Sequence, residues 1–306
     1  MNKKKIDVSV IYVNYNTSHL LEESLKSFKQ FSDGFSYEII VVDNSCNETE
    51  NLLLEKVSKE YSTTNIYLDN NSGFGCGNNE GAKKANGKYL YFVNCDTIFV
   101  SNACFELLYF ISNNPNCGIV GSNLLSKDGS PNYSFSLEEK NLKNEKTNDR
   151  LLKSKKNGLH FNNGESPLKI NGFVSGASFM ISKECFDKLG GFPKEIYLYA
   201  EESYLCYQLI HKLGLDIYNV PSSRLIHLEG KSFGADETRI KHACNGNYTY
   251  YELLFGKDVA KQYLKHKIKI YNRNAVLCFV AFKFSKSKKF CIFSRVYKKK
   301  LIDVQG

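Results

Sequence analysis

Residues 89–97, with the sequence YLYFVNCDT, join an unbroken apolar run to a short polar turn. Such a run is typical of a strand that is buried on both faces of a parallel sheet. Residues 8–13 (VSVIYV) and 38–42 (EIIVV) repeat the pattern, and residues 66–68 give a shorter strand. Between these runs apolar residues recur at helical spacing, as in 20–31. The first half of the chain therefore predicts an α/β fold with a mostly parallel, Rossmann-like sheet flanked by helices.

Polar stretches rich in Asn, Asp and Gly follow the predicted strands. In open α/β sheets, ligands bind beyond the carboxyl ends of the parallel strands. That rule selects residues 14–17, 43–45, 69–79 and 94–97. Because the geometry and the composition agree, we predict a ligand-binding edge there.

Asp96 and Asp43 are the acidic candidates at this edge. The Asp96 carboxylate could hold a divalent ion that bridges two phosphates, because Mg²⁺ and Mn²⁺ prefer oxygen ligands. Asp43 could accept a hydrogen bond from a nucleobase N–H. A structural interpretation stays open for both, with Asp43 in an Asx-turn and Asp96 capping a helix that begins near Ser101.

A glycine-rich stretch, residues 73–81 (GFGCGNNEG), follows the third predicted strand. Glycines let the backbone approach a ligand closely, and the N-terminus of the helix predicted from Asn78 would favour phosphate. The stretch differs from a dinucleotide fingerprint, because its spacing is G-x-G-x-G and it does not follow the first strand. The sequence therefore disfavours a dehydrogenase.

Glu201 and Glu202 open a helix predicted over residues 201–213. Adjacent residues on a helix point about 100° apart, so the two carboxylates cannot serve one site equally. One could be a general base beside an acceptor hydroxyl, or both could complement the helix dipole. His227 follows a strand predicted over residues 217–220 and could be a Mn²⁺ ligand or a structural histidine.

Taken together, these segments resemble glycosyltransferase family 2, and within it the rhamnosyltransferase-like bacterial members. Seven motifs in order between residues 8 and 233 carry the resemblance. They are VSVIYVNYN, EIIVVDNS, NNSGFGCGNNEG, GKYLYFVNCDT, VSGASFMISKECFDKLGGF, YLYAEESYLC and HLEGKSF. The family implies a GT-A fold and transfer of a sugar from a nucleoside diphosphate to an acceptor hydroxyl, with inversion at the anomeric carbon.

The resemblance implies a nucleotide pocket at the sheet edge. Asp43 would recognise the nucleobase, and Asn14, Gly73 and Asn79 would help to shape the pocket. The implied donor is dTDP-rhamnose, with UDP-sugars left open. The implied acceptor is a glycan or a lipid-linked sugar in the synthesis of a surface polysaccharide such as O-antigen or capsule.

The resemblance also implies the reacting groups. Asp96 would hold Mn²⁺ or Mg²⁺, and His227 would contact the metal or the diphosphate. Glu202 stands at the usual position of the catalytic base, with Glu201 as the other candidate.

Two departures from the family pattern affect these assignments. Cys95 replaces the proline of the usual Asn-Pro-Asp-Thr, which keeps the carboxylate and loses a rigid turn. The usual Glu-Asp pair is Glu201-Glu202, and Tyr204 stands where many relatives carry a later acid. Two other functions stay open: a nucleotidyltransferase, which would give the acidic pair no clear role, and a catalytically weak sugar-nucleotide-binding protein at the membrane.

The patterns predict a catalytic domain over residues 1–235, with a nucleotide-binding half (1–125) and an acceptor half (165–235). A long surface loop is predicted for residues 138–157, which are nearly all polar or charged. Residues 236–306 are predicted to form a helical, basic C-terminal extension.

The formal net charge is +9, and the excess lies at the two ends of the chain. A basic C-terminal segment favours an anionic membrane surface as a partner, although a solvated end without a partner explains it too. The apolar run 275–284 could lie in a membrane interface or form a buried helix. We predict no nucleic-acid partner.

The ten cysteines form no C-x-x-C pair, and several lie within apolar runs. No signal-peptide pattern opens the sequence. We therefore expect reduced thiols and a cytoplasmic protein, peripheral at most on the inner face of the plasma membrane.

Overall fold

The computed structural model describes residues 6–137, 160–228 and 236–305. The chain divides into two compact units, Met1–Pro193 with Glu202–Ser232 and Lys194–Glu201 with Phe233–Gly306. The predicted loop 138–157 and the predicted domain boundary after residue 235 lie outside the described residues and stay predictions.

The first half of the first unit alternates strands with helices, as the sequence predicts. In chain order the elements are β1 (Val8–Asn14), α1 (Ser18–Gln30), β2 (Tyr37–Asp43), α2 (Glu48–Tyr61), β3 (Thr64–Tyr67), α3 (Phe74–Lys84), β4 (Tyr89–Val93), β5 (Thr97–Phe99), α4 (Ala103–Asn113) and β6 (Cys117–Leu125).

The second half of this unit returns to the same sheet. Its elements are β7 (Phe135–Leu137), β8 (Leu168–Ile170), β9 (Gly172–Val174), β10 (Ser178–Ser182), α5 (Lys183–Leu189), α6 (Glu201–Gln208), a π-helical turn (Leu209–Leu213) and β11 (Asp216–His227). The apolar segment near residues 173–181 forms two strands, and the helix predicted over residues 201–213 ends in a π-helical turn.

Among the residues that the structure describes, nine strands form one mixed sheet in the order β3-β2-β1-β4-β10-β6-β11-β5, with β8 beside β11. The pairs β2–β3, β1–β2 and β1–β4 are parallel. β10 is antiparallel to both of its neighbours, and β11 runs parallel to β6 and antiparallel to β5. The predicted α/β fold with a central sheet flanked by helices is confirmed, but the sheet is mixed rather than mostly parallel, because β10 and the pairs of β11 with β5 and β8 are antiparallel. The carboxyl ends of β1, β2 and β4 share one edge.

Both faces of the central strands β1 and β4 are buried, which explains their unbroken apolar runs. On β1, Val10 and Tyr12 pack in one cluster with Leu21 and Leu25 of α1. Ile11 points to the opposite face and packs in a second cluster that includes Ala82 of α3 and Phe92 of β4. Alternate side chains of one strand thus enter two separate cores.

In its described part, the second unit contains three helices, α7 (Asp236–Phe255), α8 (Lys257–Val280) and α9 (Phe284–Asp303). Their core includes Tyr248, Tyr263, Leu264 and Tyr297. The helical C-terminal region predicted from the sequence is confirmed. Within the residues that the structure describes, no helix is long and apolar enough to cross a membrane.

Two glycines of the glycine-rich stretch bring α3 close to β1. A Cβ atom at Gly81 would lie 2.6 Å from Cγ2 of Ile11, and one at Gly77 would lie 2.9 Å from Cγ1 of Val13. Real Cβ atoms essentially never approach this closely. At these two positions the glycines serve helix–sheet packing.

Gly81→Ala should lower the free energy of unfolding by about 1–3 kcal/mol, because the added methyl group overpacks the interface with Ile11. Urea unfolding followed by circular dichroism would measure the change. Lys84→Ala, on an exposed position of the same helix, is the control and should change the free energy by less than about 0.5 kcal/mol. Equal stability of Gly81→Ala and wild type would contradict this packing.

Candidate active site

Asn14 and Asp43 lie side by side at the carboxyl ends of β1 and β2. The parallel register opposes the two residues directly, and Asn14 Nδ2 donates to Asp43 Oδ1 at 2.9 Å. The Ser45 hydroxyl donates to the same carboxylate oxygen at 2.6 Å. Asp43 is 1% exposed, so these donors offset the cost of burying its charge. The structure therefore joins two residues that the sequence assigned to one nucleotide pocket.

Asn14 also ties the first two helices to the sheet edge. Its side-chain oxygen accepts from the backbone N–H of Thr17 at 3.1 Å, just before α1. Its amide nitrogen lies 3.3 Å from Glu50 Oε1, and that oxygen accepts from Ser18 N–H at 2.7 Å. One buried amide thus fixes Asp43 relative to the N-termini of α1 and α2.

Glu50 is a residue of this network that the sequence analysis missed. It is buried near the start of α2, whose N-cap residue Asn47 accepts from Glu50 N–H at 2.9 Å. The sequence Asn47-x-x-Glu50 matches a capping-box pattern, which could have identified it. Here the glutamate side chain accepts a hydrogen bond from Ser18 of α1. The capping-box pattern does not predict this partner.

Gly73 is the N-cap residue of α3 and has a φ of +92°, in the left-handed region that favours glycine. Its carbonyl accepts from Asn44 Nδ2 at 3.0 Å, and its N–H donates to Asn71 Oδ1 at 3.0 Å. Asn44 directly follows Asp43. The loop that begins α3 is therefore fastened to the same sheet edge as the Asn14–Asp43 pair.

Asn79 has a different set of contacts. Its Nδ2 donates to the Phe192 carbonyl at 2.9 Å, and its Oδ1 accepts from Phe192 N–H at 2.9 Å. This pair of bonds fixes the chain after α5 to α3. The amide thus has a structural role, and the contribution of Asn79 to the nucleotide pocket stays a prediction.

Asp96 and His227, the two predicted metal ligands, are in direct contact. His227 Nε2 lies 3.3 Å from Asp96 Oδ1, and the exposed fractions of their side chains are 15% and 10%. Thr97 and His227 are opposed in the antiparallel β5–β11 ladder. Leu228 N–H donates to the Asp96 carbonyl at 2.9 Å and extends this pairing by one residue. The sheet itself therefore brings the imidazole to the carboxylate.

The turn that presents Asp96 forms without the family's usual proline. The Thr97 hydroxyl donates to the Asn94 carbonyl at 2.8 Å, and Cys95 Sγ donates to the Val13 carbonyl at 3.3 Å. Burial raises the pKa of the Cys95 thiol, which keeps it neutral as a donor. The N-cap of α4 is Asn102, so the alternative that Asp96 caps this helix is wrong.

Glu202 lies near the start of α6 against the loop between β9 and β10. A Cβ atom added to Gly176 of that loop would lie 3.5 Å from Glu202 Cδ. Burial raises the pKa of Glu202 to about 7, and a hydrogen bond to its own backbone N–H offsets part of the rise. A carboxyl group with this pKa exchanges its proton near neutral pH, which is the property that a general base needs.

Glu201 is only 1% exposed, whereas Glu202 is partly exposed. The preceding residues Tyr199 and Ala200 have φ values of +68° and +82°. Two consecutive non-glycine residues in the left-handed region store strain, and such residues cluster at functional sites. The difference in exposure favours Glu202 over Glu201 as the base.

Asn132 and Tyr133, which the sequence analysis did not single out, lie near His227 and Glu202. Asn132 Nδ2 is 3.5 Å from the His227 carbonyl. Burial raises the pKa of Tyr133, a hydrogen bond with Ser136 offsets part of this, and the nearby Glu202 carboxylate raises it further. This short segment therefore contacts the backbone of His227, and its tyrosine lies close enough to Glu202 for the carboxylate to raise its pKa. No sequence motif marks it.

The donors at Asp96 and His227 fit a divalent metal. Carboxylate oxygen and imidazole nitrogen are both ligands of Mn²⁺. Adjacent ligands of an octahedral ion lie about 3 Å apart, since each is about 2.1 Å from the ion, and the 3.3 Å separation agrees with this. Among the described residues no group of three His, Cys, Asp or Glu side chains could hold a metal. The pair therefore suits an ion that takes its other ligands from phosphates and water.

Two solved structures share the fold. GalNAc-T7 with UDP, GalNAc and Mn²⁺ superposes with a TM-score of 0.59 at 17% identity, over 82% of this chain and 50% of that chain. The mannosyltransferase PcManGT from Pyrobaculum calidifontis, in complex with GDP-Man and Mn²⁺, superposes with a TM-score of 0.57 at 14% identity, over 95% and 87%. Because their sequence identity to this chain is low, these two structures establish the GT-A fold and nothing more.

Curated relatives match over shorter stretches. An uncharacterised glycosyltransferase of Haemophilus influenzae is 29% identical over 113 residues, 37% of each chain. The putative teichuronic acid biosynthesis glycosyltransferase TuaG of Bacillus subtilis is 29% identical over 128 residues, 40% of this chain and 50% of TuaG. The GalNAc(5)-diNAcBac-PP-undecaprenol beta-1,3-glucosyltransferase of Campylobacter jejuni is 28% identical over 131 residues, 42% of each chain. The chain thus spans half or less of the length of these relatives.

Residues 9–190, more than half of the chain, match the family model described as Glycosyl transferase family 2. This region contains the Asn14–Asp43 pair, the loop at Gly73 and the Asp96 turn. The chain belongs to glycosyltransferase family 2.

Proposed function

We propose that this protein is a metal-dependent glycosyltransferase that moves a sugar from a nucleoside diphosphate to an acceptor hydroxyl. The observation that carries the proposal is the 3.3 Å contact between Asp96 Oδ1 and His227 Nε2 at the edge of the sheet. A diphosphate leaving group needs its charge offset, and a carboxylate–imidazole pair that holds a divalent ion provides this.

The nucleotide would bind over the carboxyl ends of β1 and β2. Asp43 would accept a hydrogen bond from the nucleobase, and Asn14 would fix the position of its carboxylate. The bonds from Asn44 and Asn71 to Gly73 support this pocket, because they hold the loop before α3 at the same edge.

Asp96 and His227 would hold Mn²⁺ or Mg²⁺, which when bound neutralises charge on the diphosphate. Glu202 would accept the proton of the attacking hydroxyl as its oxygen bonds to the anomeric carbon. The bond from that carbon to the diphosphate oxygen breaks in the same displacement, which gives inversion. The transition state would have oxocarbenium character, as in other displacements at sugar carbons.

The donor and acceptor are proposed by class. The resemblance to rhamnosyltransferase-like members favours dTDP-rhamnose as the donor. The structural neighbours solved with UDP and GDP-Man leave other nucleotide sugars as candidate donors. The names of two relatives place them in teichuronic acid synthesis and on an undecaprenol-linked glycan. We therefore propose a glycan or lipid-linked acceptor in surface polysaccharide synthesis, reached from the cytoplasmic face of the membrane.

Nucleoside diphosphate release from a panel of sugar nucleotides would test the transferase. With an undecaprenol-linked glycan as acceptor, one donor should give release that requires Mn²⁺ or Mg²⁺ and stops with chelator. Asp96→Ala should lower the rate by about 100-fold or more, as the loss of a charge-stabilising group does.

The matched control is Asp187→Ala, which removes an exposed carboxylate on α5 and should keep wild-type release. Wild-type turnover by Asp96→Ala with metal present would contradict the proposal. Release of pyrophosphate would instead show a nucleotidyltransferase, and donor binding without release from any donor or acceptor would show a binding protein.

The pH dependence of kcat/KM would test the role of Glu202. Only the deprotonated carboxylate can accept a proton, so activity should fall as the pH decreases through about 7, the raised pKa of this group. Glu202→Gln should lower kcat by about 10²–10⁴-fold and remove this acidic limb. Glu201→Gln should keep the limb, and a limb that disappears in Glu201→Gln alone would reverse the assignment of the base.

A further inference from the structure

The helices α8 and α9 form a hairpin. The turn that joins them, here called the tip, is exposed, and the part of the hairpin far from this turn is buried. Tyr263 and Leu264 of α8 and Tyr297 of α9 belong to the core of the second unit. Closer to the tip, the Ser287 hydroxyl donates to the Ala275 carbonyl at 2.8 Å and joins the two helices. The tip is therefore supported by two helices that contact each other.

Six large apolar side chains of the tip point into solvent. We call them the apolar tip: Val276, Leu277, Phe279, Val280, Phe282 and Phe284, with exposed fractions between 54% and 82%. The sequence left open whether the run 275–284 forms a buried helix or lies in a membrane interface. Of these ten residues only Ala275 is buried, so the buried-helix interpretation is wrong.

Three of these side chains form an exposed aromatic cluster. The Phe279 and Phe284 rings are 5.4 Å apart and the Phe282 and Phe284 rings 6.1 Å apart, both in edge-to-face contact. Large exposed apolar patches mark interaction sites. The cluster gives such a patch an aromatic centre.

Phe282, the most exposed of the six, is also strained. It has a φ of +54° and ends α8 in a Schellman motif, with Phe282 N–H bonded to the Phe279 carbonyl and Lys283 N–H to the Cys278 carbonyl. This left-handed position usually holds glycine, because any other side chain is strained there. Glycine would form the same turn without strain, so a strained and exposed phenylalanine at this position points to a contact outside the chain.

Basic residues flank the apolar tip in the sequence. Residues 259–302 contain thirteen Lys and Arg and no Asp or Glu. Four exposed lysines, Lys283, Lys286, Lys288 and Lys289, lie within or directly after the tip. The hairpin thus offers apolar side chains and positive charge on one short segment.

We propose that this hairpin tip docks on an anionic lipid bilayer, with the apolar tip in the interface and the four lysines on the headgroups. Aromatic and aliphatic side chains beside lysines match the two layers of such a surface. A second copy of this chain fits less well, because it would bring two sets of lysines together. A nucleic acid would contact the lysines and leave the apolar tip in water.

This proposal deepens the proposed function, since a lipid-linked acceptor resides in a membrane. Vesicle binding requires no sugar transfer, so the failure of one proposal is distinguishable from the failure of the other. Point variants test the proposal better than a deletion of all residues after Lys261, because the deletion would remove Tyr263 and Tyr297 from the core of the second unit.

Flotation with vesicles of phosphatidylglycerol and phosphatidylcholine, compared with phosphatidylcholine alone, would test it. The full chain should bind the anionic vesicles. The triple variant Phe279→Ser, Phe282→Ser, Phe284→Ser should bind at least about tenfold more weakly, because the apolar contact is lost. Changing the four lysines to Gln should weaken binding by a similar factor and remove most of its salt dependence.

Matched controls change exposed residues of the first unit. They are Leu52→Ser, Leu53→Ser, Tyr109→Ser for the apolar set, and Lys26, Lys56, Lys59 and Lys84 to Gln for the charges. Both controls should bind as wild type does. Phe282→Gly separates binding from folding, because it should raise the melting temperature by relaxing the left-handed turn and still weaken vesicle binding.

Three results would overturn the proposal. The first is equal vesicle binding by the wild type and the triple serine variant. The second is a wild-type dimer in solution that the serine variant converts to a monomer, without vesicle binding. The third is binding of an RNA oligonucleotide, lost in the lysine variant, by a wild type that binds no vesicles.

Discussion

The antiparallel pairing of β11 with β5 is the contact on which the candidate active site depends. It opposes His227 to Thr97 and carries the imidazole to the carboxylate of Asp96. Because β11 also pairs with β6 and β8, the histidine is attached to a nine-stranded sheet. A site on such a scaffold needs little reorganisation when a charged ligand binds, which is the condition for efficient electrostatic stabilisation.

The proposed nucleotide pocket also depends on polar groups that the fold holds in place. A buried carboxylate such as Asp43 is tolerated only when polar groups replace its hydration. Asn14 supplies one donor, and because it also bonds at the starts of two helices, the position of Asp43 is linked to the packing of α1 and α2. Polar groups at the sheet edge thus contribute to the fold and to the site together.

The sequence predicts strands well where burial on both faces leaves an unbroken apolar run, as in β1 and β4. It does not predict β6, because Gly118, Gly121, Ser122 and Asn123 interrupt the run. In the structure Gly121 makes room for Val174, and Ser122 bonds to the hydroxyls of Ser178 and Ser223. These partners are distant in sequence. Phe192, the partner of Asn79, is also distant from it in sequence. The family motifs identified Asp96 and His227, and a capping-box pattern marks Glu50 without its partner Ser18. Asn132 and Tyr133 could be placed only by tertiary structure.

Mn²⁺ binding in the presence of a nucleoside diphosphate, followed by electron paramagnetic resonance, tests the central claim most directly. Wild type, Asp96→Ala, His227→Ala and the double variant form a double-mutant cycle. If the two side chains hold one ion, each single variant should weaken Mn²⁺ binding by about tenfold or more, and the double variant should lose less than the sum of the two free energies. Wild-type Mn²⁺ affinity in both single variants would contradict the account.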